Sequence, residues 1–328
     1  MKLAIIGSGM IVHEFLSITK DLPEISLAAL VGTKRSYEKL EALQNEYQIK
    51  DIYTDFSECV AKSDFDTVYV AVPNHLHFTF AKAALLAGKH VICEKPFTLN
   101  LAQMLELKEL ALAKQLILVE AITNQYLANY LQIKDQLPEL GELKIMECNY
   151  SQYSSRYDAF KEGTILPAFD PTKGGGALMD INIYNIHFVV GLLGKPDSVQ
   201  YLANVERNID TSGILILNYP DTKVVCIGAK DSSASIRSTI QGNLGSIIIN
   251  GSTSEIVSYD KQIGKKATQR YEQQPGLHRM HAEFVEFTRM IAENDLTNTK
   301  KQLEHSQIVM EIVDVALRDA GIVLGTAN

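Results

Sequence analysis

The 328 residues are enough for two ordinary domains, and 46% hydrophobic with 21% charged residues fits a folded globular protein. A net charge of −8 with no cluster of Lys or Arg argues against nucleic acid or an anionic membrane surface as partner, which leaves small metabolites. Cys59, Cys93, Cys148 and Cys226 lie far apart without CxxC or His-Cys spacing, no apolar run approaches the ~18 residues of a membrane span, and Met1-Lys2 leads straight into a strand. Reduced thiols in a cytoplasm, no metal site and no membrane are the expectations.

Residues 3–6 read as a buried strand, followed by Gly7-Ser8-Gly9-Met10-Ile11-Val12 and an amphipathic helix through Lys20. Glycines at such a turn let the backbone approach a pyrophosphate, whose charge then sits at the helix N-terminus. An ordinary tight turn has the same pattern, and Val12 stands where the fingerprint G-x-G-x-x-G/A wants a small residue. Its place in the first strand-turn-helix favours the cofactor. A second strand, residues 26–31, ends about 20 residues past the glycines, where an Asp or Glu would read the ribose of NAD. Gly32-Thr33-Lys34-Arg35-Ser36 stands there instead. A hydroxyl and two cations suit a 2′-phosphate, so the expected cofactor is NADP, with NAD as the alternative. The bland reading has Lys34 and Arg35 opening a solvated helix over residues 36–47.

Strands at 67–72, 90–93 and 116–119 alternate with helices at 75–87 and 101–114, which makes this half α/β, a doubly wound parallel dinucleotide-binding (Rossmann) fold. Val72-Pro73-Asn74, with His77, follows a strand's carboxyl end on the nicotinamide side; His77 equally fits a helix start without a ligand. Val91-Ile92-Cys93 ends abruptly in Glu94-Lys95-Pro96. A lysine at the carboxyl end of a buried parallel strand faces the crevice where open α/β sheets bind ligands, and proline cannot continue the ladder. Taken alone, the same residues read as a surface Glu-Lys pair closing a strand.

Gly7-x-Gly9-x-Ile11, Val72-Pro73-Asn74 with His77, Ala87-Gly88-Lys89-His90-Val91 and Glu94-Lys95-Pro96, in this order and spacing, resemble the Gfo/Idh/MocA family, named for glucose-fructose oxidoreductase and inositol dehydrogenase. The resemblance covers essentially the whole chain. With the residues above it implies a cofactor set of Gly7, Ser8, Gly9, Met10, Ile11, Thr33, Lys34, Arg35, Val72, Pro73, Asn74, His77, Glu94 and Lys95, and a cis Lys95-Pro96 bond. Glu120-Ala121 matches the family's crossover. Asn124-Gln125-Tyr126 stands where many relatives have Arg-Phe, which puts Gln125 at the substrate and that arginine's contact in doubt.

Beyond the crossover, alternating runs at 142–153, 198–207, 213–219, 224–229, 235–242, 246–250 and 255–260, joined by short turns, predict antiparallel pairing. The expected division is a Rossmann domain, 1–120, and an α+β domain with a largely antiparallel open sheet, 121–328. The resemblance implies that the outer face of that sheet builds a dimer or tetramer. Helices at 276–294 and 302–321 add core and interface, and His278, His281 and His305 read as surface or capping residues. Gly174-Gly175-Gly176-Ala177-Leu178-Met179-Asp180 opens a helix to about residue 193. At about 100° per residue Tyr184 and His187 each fall within roughly 40° of Asp180, on one stripe beside an apolar stripe of Ile181, Phe188, Val189 and Leu192. Against a functional stripe stands a favourable first-turn charge with two half-buried core residues.

The family's motif is Gly-Gly-Gly-x-Leu-x-Asp with Tyr or His four residues on. The resemblance thus makes Asp180 and Tyr184, with Lys95, the catalytic group; Tyr is the pattern of glucose-fructose oxidoreductase and dihydrodiol dehydrogenase. Asn182 replaces the usual glycine. Gln125 and His187 join Lys95, Asp180 and Tyr184 at the substrate, and residues 154–172 form part of the pocket wall, with Ala168 where relatives often carry an arginine. The expected activity is hydride transfer between NADP and a CH–OH or C=O carbon of a sugar, polyol or cyclic diol. In it Tyr184 exchanges the proton, its phenol of pKa about 10 lowered by Lys95, Lys95 binds the reacting oxygen, and Asp180 positions both. The rival from another class is a catalytically silent NADP-responsive binding or regulatory protein, against which the retention of Lys95, Asp180 and Tyr184 argues. A reductase of dicarbonyls or trans-diols would share the catalytic group.

Overall fold

The apolar runs of the first 121 residues become parallel strands. In the computed structural model, which describes residues 1–272 and 276–325, β1 (Lys2–Ile6), β2 (Ser26–Val31), β3 (Asp51–Tyr53), β4 (Thr67–Val70), β5 (His90–Glu94) and β6 (Leu118–Ala121) form a sheet in the order 3-2-1-4-5-6. All five pairings are parallel. Successive residues of β1, β4 and β5 are buried without alternation, as in a sheet covered on both faces. Five helices alternate with the strands: α1 (Met10–Ile18), α2 (Tyr37–Tyr47), α3 (Phe56–Lys62), α4 (His77–Leu86) and α5 (Leu101–Ala113). The strand order reverses between β1 and β4, the switch point where such sheets bind ligands beyond the strands' carboxyl ends. The short pair β3 and α3 was not expected. β3 pairs with β2, and α3 follows Asp55, whose carboxylate caps it by accepting from the Glu58 N–H at 2.9 Å.

From residue 122 the chain builds a second unit. It contains α6 (Ala128–Gln136), β7 (Leu143–Ser151), α7 (Ser155–Lys161), α8 (Ile183–Leu193) and seven further strands: β8 (Ser198–Glu206), β9 (Ile209–Asn218), β10 (Lys223–Ala229), β11 (Arg237–Gly242), β12 (Gly245–Asn250), β13 (Ser258–Ile263) and β14 (Gln269–Glu272). The sheet order is 14-13-12-11-7-10-9-8, antiparallel except where β10 lies parallel to β7. One face is apolar and buried, with Met146, Cys148, Leu215, Val224, Cys226 and Ile240 on it, and α8 packs there against β7 and β10. Every residue from Ile183 to Val190 is buried, which is how a helix hydrophobic all round is accommodated. The helical stretch Pro171–Leu193 is long and apolar enough to cross a membrane by length and composition, and most of it is core.

The chain then returns to the first unit. Residues 280–306, with α9 (His281–Ala292) and the start of α10 (Leu296–Asp319), cluster with residues 1–98 and 102–121, and residues 307 onward cluster with the second unit. Phe284 explains the return. Its ring lies 4.3 Å from Phe15 of α1 and 5.2 Å from Tyr69 of β4, all three wholly buried. A division into 1–120 and 121–328 therefore leaves out the segment that completes the first core.

Candidate active site

Loops leave the carboxyl ends of β1, β4 and β5. At the first, Gly7 has φ +122°, and a Cβ there would stand 2.2 Å from the Ala71 carbonyl oxygen after β4, so only glycine closes this turn. Gly9 caps α1 without a side-chain bond, a Cβ there would meet nothing within 4 Å, and no acid lies in the first turn. The first N–H groups of a helix have no intrahelical partner, so this open end suits a pyrophosphate. Val12 is wholly buried, which accounts for a bulkier residue in the third fingerprint position. After β2, Ser36 Oγ accepts from the Thr33 N–H and donates to the Thr33 carbonyl, both at 2.9 Å, with Lys34 and Arg35 exposed between them. The two cations are thus carried on a closed, capped turn.

At the end of β5 the Lys95-Pro96 bond is cis, as the resemblance implied. Glu94 is buried and accepts from the Tyr69 hydroxyl at 2.5 Å, while Lys95 is half-exposed. The chain after Lys95 is held twice. The Pro96 carbonyl faces His77 Nδ1 at 2.9 Å, and the Phe97 N–H donates at 3.0 Å to Glu120 Oε1, whose Oε2 accepts from Ser306 at 2.6 Å. His77 Nε2 lies 2.9 Å from the Val72 carbonyl. The ring is wholly buried, and burial holds its pKa below the ordinary histidine value. Direct cofactor contact by His77, expected from the sequence, does not fit this geometry, because both ring nitrogens face backbone. The residue instead links the Val72-Pro73-Asn74 loop to the Lys95-Pro96 loop from beneath.

In the second unit Gly176 has φ +103°, and a Cβ there would lie 2.1 Å from Asp210 Oδ1. Asp210 is wholly buried; its Oδ2 accepts from the Leu178 N–H at 2.6 Å and the Tyr201 hydroxyl at 2.7 Å. Burial pushes this carboxyl up to about 6, against the opposing pull of those bonds and of Lys230. What Asp210 caps is a π turn, Leu178–Asn182, with Asp180 at its centre. The Asp180 side chain is 36% exposed, and its Oδ2 lies 2.7 Å from Lys230 Nζ, a side chain only 3% exposed. Asn182 donates to the Cys226 carbonyl at 3.2 Å and accepts from Asn185 at 2.8 Å, and Asn185 accepts from Thr253 at 2.7 Å. These bonds pin the π turn and α8 to the sheet. Tyr184 follows in α8, nearly buried, its ring 6.3 Å from that of Tyr150.

The π turn also alters the expected stripe. Its i→i+5 bonding is wider than an α turn, so a phase of about 100° per residue does not carry from Asp180 to His187. His187 is wholly buried rather than lining a pocket, and Ile181 is half-exposed rather than in the core. Gln125 departs from expectation too. Its amide nitrogen donates to the His187 carbonyl at 3.0 Å and to Asn124 Oδ1 at 3.1 Å, while Asn124 donates to the Tyr184 carbonyl at 2.9 Å. These two amides hold the backbone of α8 behind Tyr184.

Residues 1–121 match the model of the oxidoreductase family with an NAD-binding Rossmann fold, and residues 133–248 match the GFO/IDH/MocA C-terminal domain. The chain belongs to the Gfo/Idh/MocA oxidoreductase family. It is 34% identical to the scyllo-inositol 2-dehydrogenase (NADP(+)) of Bacillus subtilis over 98% of both chains, and 27% identical to the D-xylose 1-dehydrogenase (NADP(+)) of Hypocrea jecorina over 91% of this chain and 83% of the relative. A solved levoglucosan dehydrogenase, in complex with NADH and levoglucosan, has the same fold at TM-score 0.84 and 17% identity, covering 98% of this chain and 97% of the other.

As a member of the Gfo/Idh/MocA family the chain is an NAD(P)-dependent oxidoreductase. Lys230, the buried partner of Asp180, was not singled out from the sequence. It directly follows β10, just as Lys95 directly follows β5, so a lysine ending an apolar strand was a usable signal at both places. Asp210 had no comparable local mark, since its partners are a backbone N–H and a glycine 30 or more residues away, and Tyr201 is tied to the site only through Asp210.

Proposed function

We propose that this member of the family is an NADP-dependent dehydrogenase of a neutral sugar, polyol or cyclic diol, with Lys95, Asp180 and Tyr184 as its catalytic residues. The observation that carries the reading is the bracing of Lys95. It stands at the carboxyl end of β5 in a sheet of dinucleotide-binding order, its loop held by His77 on one side and Glu120 on the other. A structure spends two buried side chains in this way where a functional group needs a fixed address.

The residues fit the cofactor. Gly7, Ser8, Gly9, Met10 and Ile11 would take the pyrophosphate on the open end of α1, Thr33, Lys34 and Arg35 the 2′-phosphate, and Val72, Pro73, Asn74, Glu94 and Lys95 the nicotinamide side. Held there, the nicotinamide would supply the hydride-transfer chemistry. Tyr184 exchanges the hydroxyl proton, Lys95 stabilises negative charge developing on the reacting oxygen, and Asp180 orients them. Ala168, in place of an arginine, supports a substrate without an anionic group. The unburied face of the second sheet carries Leu202, Ile214, Ile216, Val225 and Ile227 on adjacent strands, which supports a homo-oligomer through that face. Four free, buried cysteines support a reducing, cytoplasmic setting.

The test is NADPH formation at 340 nm, ~340 being the nicotinamide absorbance read in any hydride-transfer assay, on scyllo-inositol, D-xylose, levoglucosan and trans-diols. We expect turnover on at least one, and Lys95→Ala to lower it by about 10³-fold or more while NADP affinity stays within a few-fold. Near-normal turnover of Lys95→Ala would remove Lys95 from the catalytic group. Saturable NADP binding with no turnover on any member of the panel would favour a silent binding protein.

A further inference from the structure

Lys230 is a cation taken almost entirely out of water, which is costly unless it is paired and hydrogen-bonded. Its Nζ makes the 2.7 Å ion pair with Asp180 Oδ2, donates to the Ala168 carbonyl at 2.6 Å, and lies 4.4 Å from the centre of the Phe169 ring. Asp210 lies within electrostatic reach of the same ammonium, and the Tyr201 phenol shares the Asp210 carboxylate. The backbone of Lys230 is fixed as well: its N–H donates to the Thr211 carbonyl at 2.9 Å and its carbonyl accepts from the Ser154 N–H at 2.8 Å. The ammonium thus stands on the sheet and reaches at once the loop at Ala168 and the π turn at Asp180. The two partners of the ion pair differ sharply in exposure, so the buried one is the fixed post and the half-exposed carboxylate is the group held.

We propose that Lys230 is a positioning residue of the reaction: it holds the Asp180 carboxylate ionised and fixes its orientation on the π turn. This rests on the reading of Asp180 as part of the catalytic group. Backbone bonding at the π turn, such as the Asp180 N–H to the Gly176 carbonyl at 3.1 Å, leaves the side-chain rotamer of a 36% exposed carboxylate unset, so an external anchor is what makes this central carboxylate a defined acceptor. Lysine suits the place because a compact ammonium can donate to a carboxylate and a carbonyl in different directions while its stem stays packed on an aromatic ring.

The experiment is the pH dependence of kcat with scyllo-inositol and NADP as probes, for the full chain, for Lys230→Met and for Lys230→Arg, with Asp180→Asn beside them. Without the cation, Asp180 protonates more readily. Lys230→Met is expected to lose about tenfold or more in kcat with KM changed by less than about threefold, and to shift the acid limb up by about one pH unit. Lys230→Arg, which keeps the charge, is expected to hold the acid limb in place. A folded Lys230→Met with the wild-type acid limb overturns the inference. Full activity of Asp180→Asn would instead remove Asp180 from the catalytic group, a separate failure. A readout independent of turnover and of the folding of Lys230→Met is NMR of ε-13C-labelled lysine. In Asp180→Asn the Lys230 signal should titrate about one pH unit or more below its wild-type midpoint, and an unmoved midpoint overturns the pairing.

Discussion

Gly7 and Gly176 each occupy positive-φ backbone with a neighbour's oxygen where a Cβ would go. Gly7→Ala should cost on the order of 1–3 kcal/mol of stability and weaken NADP binding by about tenfold or more, read by thermal unfolding and by NADP titration. Gly176→Ala should leave NADP binding alone and lower kcat, because the displaced oxygen belongs to the carboxyl that caps the π turn. Asp210 adds a pH dependence. Its folded-state pKa is raised from 3.8 to about 6, so the folded chain keeps a proton that the unfolded chain has already lost. The stability it contributes is full below about pH 4 and disappears as pH rises through 6; at about 1.4 kcal/mol per pKa unit this is roughly 3 kcal/mol. Denaturant unfolding between pH 4 and 7 should show that slope in the wild type and its loss in Asp210→Asn. At this scale motif and strand end mark Lys95, Asp180 and Tyr184 as the candidates. Gln125 and His187 were misplaced because their partners are backbone atoms about 60 residues away and the α8 core, which no local spacing reports.

Among the elements, α9 carries the clearest energetic weight. Phe284 fills the space between Phe15 and Tyr69, and the Tyr69 hydroxyl donates to Glu94, the residue before Lys95. Phe284→Ala should destabilise by about 3–5 kcal/mol. It should also lower kcat in the fraction that remains folded, measured at a temperature well below its midpoint, because Tyr69 loses the ring that steadies it. The Rossmann elements were legible since buried strands and amphipathic helices alternate with clear periods; β3 and α3 escaped because three half-buried residues and seven helical ones carry too little pattern. The antiparallel strands β7 to β13 were found nearly in place, whereas β14, only four residues long, was missed, and so was the parallel β7–β10 pair, since pairing between strands 80 residues apart leaves no trace in a turn. The π turn was invisible for a related reason. Its i→i+5 turn is held by the Asp210 cap and the Asn182 bonds, whose partners lie 32 and 44 residues away.

For the whole molecule, the boundary of the first family model is a poor guide to what folds. A chain ending at residue 121 lacks Phe284 and Phe287 and leaves Phe15 and Tyr69 uncovered. It should aggregate or lack a cooperative melt by circular dichroism, and joining residues 280–306 to it through a flexible linker should restore one. That return was not legible, because residues 276–294 and 302–321 show a helix period whatever core receives them. The chain passes from one unit to the other after residues 98, 101, 121, 279 and 306. Those crossings bear on inheritance. A dinucleotide-binding half joined at a single seam could be traded between genes as a cassette, but here any exchange must carry a distant helix with it. New specificities in such a chain are therefore expected to arise by substitution in place, on the π turn and the loop at Ala168, and not by swapping halves.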